Sequence, residues 1–155
     1  MANEAINLFE LQKEIVKAVR ADAVFNQKVI DLLGGKPLTY AIDINEIDGT
    51  ETYPILIVHK NTNIDDTEQG KQAMIQFIFG AMLGKTSIDT DGTLFYASIR
   101  DIEILSRDVL DIVKRVVCTK TGYNLEHWNM LVTTIGEADD VQCVTSIRLE
   151  QLQFI

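Results

Sequence analysis

Two prolines, two cysteines, two histidines and one tryptophan are spread over 155 residues. So few prolines, and no low-complexity stretch, argue against long disorder. Cys118 and Cys143 lie far apart, and neither belongs to a C-x-x-C pair. Both read as small core hydrophobes, not as a bridge or a metal site. His59 and His127 have no His or Cys at zinc-ligand spacing. No G-x-S-x-G elbow, G-x-G-x-x-G turn or P-loop occurs. Gly84-Lys85-Thr86 ends like a Walker motif, but the position of that motif's first glycine holds Phe79. No apolar run is long enough to span a bilayer, and the N-terminus lacks a basic segment followed by an apolar one. The expectation is a soluble protein made in a reducing cytoplasm, with no catalytic residues, no cofactor and no metal.

Basic residues are also in short supply: 14 Lys and Arg stand against 23 Asp and Glu, a net charge of −9. Such a chain lacks the footprint for gripping phosphate backbones. An acidic wall suits a passage where DNA slides without sticking. Apolar residues make up 46% and charged ones 24%, ordinary globular composition. The length is that of one domain, 1–155, able to bury a core without staples.

Residues 3 to 20 carry helical spacing, with Asn3 as N-cap and Glu4 in the first turn. A second helical run begins at Asp22 and stops at Gly34-Gly35. The two form one bent helix or a helical pair. Thr39 to Ile47 alternates as a half-buried strand, and Tyr53 to His59 follows, joined to it as a hairpin through Asp48 to Glu51. Residues 60 to 71 read as a polar loop. Gln72 to Leu83 is apolar on both faces, with Ile75, Phe77 and Phe79 opposite Met74, Ile78 and Met82. Such a strand is covered on both sides, by helices or by a neighbouring subunit. A polar loop, Gly84 to Thr93, and a short strand, Leu94 to Ser98, lead to the strongest helix, Asp101 to Val117. The chain closes in a hairpin whose outer strand is the C-terminus, Val141 to Ile155. The whole predicts an α+β fold: an antiparallel or mixed sheet with the N-terminal helix or helical pair and one central helix packed on one face.

This layout resembles the tail terminator and neck (tail-completion) proteins of long-tailed bacteriophages. The segments that carry the resemblance are the helix from Leu8 to Val19, the strand Tyr53 to Val58, the long strand Ala73 to Met82, the helix Ile102 to Val116 and the hairpin Trp128 to Phe154. The resemblance implies a structural protein of the virion, assembled in the host cytoplasm. It implies a homo-oligomeric ring, typically a hexamer, that caps the tail tube, ends its growth and docks the head through a neck protein. DNA passes through the channel without specific binding, and no membrane is involved. The expected contact residues are Asp65, Asp66 and Glu68 in the polar loop, Phe77 and Phe79 on the doubly apolar strand, and Trp128 and Phe154 on the closing hairpin. The alternatives are another tube or neck subunit, or a small α+β ligand-binding or enzymatic domain.

Overall fold

Asn7 starts the first helix: its side-chain oxygen accepts the Glu10 amide at 2.8 Å, satisfying one of the free donors of a helix N-terminus. The computed structural model describes residues 7–44, 53–60, 65–67, 70–119, 122–134 and 140–151. Asn3 and Glu4 lie outside them. Helix α1 runs Leu8–Ala21 and α2 runs Ala23–Leu32. They are two helices and not one bent helix, because Asp22 leaves helical geometry (ψ 95°) and caps α2 by accepting the Phe25 amide. The Asn26 amide donates back to the carbonyls of Val19 and Asp22, both at 2.8 Å. Gly34 and Gly35, both at φ +86°, take the chain out of α2.

The strands are β1 (Thr39–Ile42), β2 (Ile55–Lys60), β3 (Asp65–Thr67), β4 (Gly70–Met82), β5 (Thr86–Ile88), β6 (Leu94–Tyr96), β7 (Tyr123–Thr134) and β8 (Asp140–Gln151). Helix α3, Ala97–Val117, lies between β6 and β7. It begins four residues before the expected start, so the Leu94 to Ser98 segment divides between β6 and α3. The main sheet has the order β1-β2-β4-β8-β7, with β3 paired to the start of β4, while β5 and β6 form a separate ribbon. The fold is α+β with a mixed sheet and, among the described residues, three helices, all on one face.

Three pairings differ from the sequence expectation. β1 and β2 run parallel, Thr39 opposite Ile55 and Ile42 opposite Val58, so they are no hairpin. Residues 43–54 give the length of about a dozen that a parallel connection needs; the expected Asp48–Glu51 turn lies outside the described residues. The segment read as one polar loop contributes β3, which pairs with Gly70–Gln72. Finally, β8 is not the outer strand. It pairs with β4 on one side and β7 on the other along nearly its whole length, and β7 forms the edge.

Alternation decides what the helices cover. Ala73, Ile75, Phe77, Phe79 and Ala81 of β4 and Val141, Cys143, Thr145, Ile147 and Leu149 of β8 are buried. They face Leu11, Ile15 and Val19 of α1 and Ile102, Leu105, Val109 and Val113 of α3 in one continuous core. Burying each large side chain contributes about 1.5–3 kcal/mol. Phe25 meets Phe79 edge to face, ring centres 6.5 Å apart, an arrangement aromatic pairs favour. The Lys28 ammonium and the Asp108 carboxylate tie α2 to α3 at 2.7 Å.

Candidate functional site

The residues expected at an interface are distributed and do not converge. Phe77 and Phe79 are 2% and 1% exposed. The pleat turns them toward the chain's own helices, so they belong to the core and not to a contact surface. Trp128 is half-buried on the helical side of edge strand β7, with the Lys114 ammonium 5.5 Å from its ring centre. Asp65 and Asp66 sit in β3 opposite Gln72 and Lys71. Glu68 and Phe154 lie outside the described residues.

Among the described residues, the other face of the sheet has no helix on it. One row of cross-strand partners runs Ala41, Ile57, Ile78, Val144, Leu131 over five strands. Ile57 is buried in a small cluster with Tyr53 and Ile55, against which Ala41 and Ile78 pack. At the β7 end Leu131 is 61% exposed. The next row is polar: His59, Gln76, Ser146, Asn129, with the Gln76 amide donating to the Ser146 hydroxyl at 3.1 Å. The two histidines lie on β2 and β7, separated by β4 and β8. Among the described residues no cluster of three His, Cys, Asp or Glu side chains is placed to hold a metal, and no helix is long and apolar enough to cross a membrane.

Both sheet edges are one-sided: among the described residues, β1 pairs only with β2 and β7 only with β8. An unpaired edge offers a row of backbone donors and acceptors to another chain. Beside β1 lies a groove of about 950 Å³ between that strand and α1. Phe9, Ile42 and Ile44 supply apolar lining, and Lys13, Lys17 and Arg20 supply positive charge against Glu10 and Glu14.

Two buried polar contacts escaped the sequence reading. Gln12, fully buried, donates through its amide nitrogen to Asp43 Oδ1 (2.9 Å) and to the Val58 carbonyl (3.0 Å). Asp43, in left-handed backbone geometry at φ +55°, also accepts the Lys60 amide at 3.0 Å and the Lys60 ammonium at 2.8 Å. Burial works to raise the Asp43 pKa, but the hydrogen bonds from Lys60 and Gln12 outweigh it and hold the carboxyl below its ordinary value. This knot fastens α1 to β1 and β2. It brings a carboxylate within 3.9 Å of His59, yet it offers no nucleophile. At the opposite end of β2 the Tyr53 hydroxyl meets Asp140.

What the arrangement offers is surface: an apolar row, two open edges and a groove. The chain matches no protein-family model and no curated protein.

Proposed function

We propose that this chain is a structural assembly subunit of a phage virion, one that forms a ring capping the tail tube, ends tube growth and joins tail to head. The observation that carries the reading is the sheet face that, among the described residues, bears no helix, and whose apolar row ends on Leu131 at an edge with no further strand paired to it. Apolar surface of this kind at a sheet edge marks a place where another chain docks. Copies joined through two different patches close into rings when the rotation allows. The layout that prompts the tail-terminator resemblance has α1, β2, β4, α3 and the β7–β8 hairpin as its counterparts here. A net charge of −9 suits a channel that DNA crosses.

Light scattering on a sizing column and negative-stain imaging test the reading. The expected result is a ring, typically of six, that blocks elongation of tail tubes when added to them. Leu131→Asp is expected to weaken that ring without unfolding the subunit. A monomer that turns over a small molecule, with His59 or His127 indispensable, overturns it. The α1–β1 groove favours a second reading, a ligand-binding module, which a monomer saturating with a small molecule supports.

A further inference from the structure

The ribbon Thr86–Tyr96 stands apart from the main sheet: β5 and β6 pair with each other and with no strand outside the ribbon among the described residues. Its tip is well ordered by its own hydrogen bonds. The Asp89 amide donates to the Thr93 carbonyl and the Gly92 amide to the Asp89 carbonyl, both at 2.9 Å. The Asp91 carboxylate accepts the Thr93 amide, and Gly92 takes φ +87°. This is the three-residue hairpin loop with glycine in the left-handed position. One side of the ribbon is turned toward the body, where the Arg100 guanidinium lies 5.3 Å from the Phe95 ring centre. The other side carries Ile88 and Leu94, cross-strand partners that are 70% and 64% exposed. A two-stranded ribbon is only marginally stable alone, and this one presents its two aliphatic side chains to water beside two carboxylates, Asp89 and Asp91, with no Lys or Arg between Thr86 and Tyr96.

The groove between α1 and β1 is the chemical complement. Phe9 and Ile44 are 47% and 49% exposed there. Lys13, Lys17 and Arg20 outnumber Glu10 and Glu14 along it, with Lys13 paired to Glu10, and no residue of the ribbon contributes to its lining. We infer that the occupant of this groove is the β5–β6 arm of a second copy, with Ile88 and Leu94 seated on Phe9, Ile42 and Ile44, and Asp89 and Asp91 set against Lys17 and Arg20. The inference deepens the proposed function and rests on its self-assembly, but on neither the tube nor the DNA. Because arm and groove are different patches, each copy gives one and receives one. The contact is head-to-tail, the kind that generates rings or filaments.

Two experiments on the full chain decide it. In a Cys118→Ser background, Ile88→Cys protein is mixed with Ile44→Cys protein under mild oxidation. A disulfide-linked dimer is expected in the mixture, well above that given by a control pairing Val24→Cys, at an exposed position of α2, with Ile44→Cys. In the second, Lys17→Glu/Arg20→Glu and Asp89→Lys/Asp91→Lys are each expected to weaken self-association about tenfold or more, since like charges then face each other. Combining all four substitutions in one chain is expected to restore association, a result that mere unravelling of the arm tip does not give. If the wild type assembles but the link is no better than control and the charge variants assemble as it does, the arm contact is wrong while self-assembly stands. If the wild type stays monomeric and no link forms, both fall.

Discussion

The Tyr53 hydroxyl donates to Asp140 Oδ2 at 2.6 Å, and both side chains are buried. The contact spans 87 positions in sequence and joins the entry of β2 to the start of β8 across the end of β4. The second Asp140 oxygen, Oδ1, is buried without a hydrogen-bond partner among the described residues. The tyrosine is therefore the group that satisfies this carboxylate.

Tyr53→Phe keeps the ring and removes that donor. Leaving a buried acceptor unmatched costs about 1–3 kcal/mol. The expected result is a lower urea midpoint with an unchanged slope. A slope that falls as well means that more than the one hydrogen bond has been lost.

Gly80 exists to let that ring pass. A Cβ at position 80 sits 2.7 Å from Tyr53 Cε1, closer than carbon atoms approach. Gly80→Ala forces the ring aside and is expected to destabilise by about 1–3 kcal/mol. The cost should shrink sharply when Tyr53 is already alanine. A thermodynamic cycle that comes out additive rules out this steric account.

Periodicity carried the sequence reading of elements a long way, and it failed where a partner is remote. The spacing of Ile102, Leu105, Val109 and Val113 specifies a one-sided helix, and the alternation through Phe77 and Phe79 specifies a strand. Alternation is the same whether a strand pairs parallel or antiparallel, so Thr39–Ile42 and Ile55–Lys60 gave no sign of running the same way. Two apolar faces on β4 leave open which one the chain's own helices take, so the sequence does not tell that Phe77 and Phe79 lie in the core and not at a contact surface. Asp43 stands between Ile42 and Ile44 like any outward strand residue. Nothing local says that Gln12, 31 positions earlier, reaches it. The apolar row on the outer face appears only when the four registers joining five strands are aligned, since each strand supplies one member.

Thiol reactivity separates the two cysteines, which the sequence treated alike. Cys118 is exposed just after α3, and Cys143 is buried in β8. Burial also pushes the Cys143 thiol above its ordinary pKa, leaving less of the reactive thiolate. One thiol is expected to react with an aromatic disulfide reagent in the native protein, and both in denaturant. Two fast thiols in the native state contradict the placement of β8 inside the sheet.

The Asp43 knot predicts an acid limb in stability. Its carboxyl is held below its ordinary value in the fold, so the stability it contributes is complete above about pH 4 and fades as pH falls through the lowered value. Asp43→Asn tolerates the left-handed backbone but loses the charge. The gap between wild type and this variant, read from urea midpoints, should be open at pH 6 and narrow progressively as pH falls below about 4. A gap independent of pH assigns the effect to packing alone.

At the alkaline end the sign reverses. Tyr40, Tyr53 and Tyr123 all have pKa values raised by burial. For Tyr53 the Asp140 carboxylate adds to the rise; for Tyr40 burial outweighs the opposing Asn26 hydrogen bond and the Arg20 charge. Each phenol therefore releases its proton more readily in the unfolded chain. Stability from these residues is intact below about pH 10, the ordinary tyrosine value, and is lost as pH climbs through the raised ones. Phenolate absorbance from these three should rise in a steep cooperative step that coincides with loss of helical circular dichroism. Smooth ionisation of Tyr40, Tyr53 and Tyr123 with the fold intact contradicts the burial of this trio. Tyr53→Phe removes one of the three, and should shift the cooperative step and flatten it.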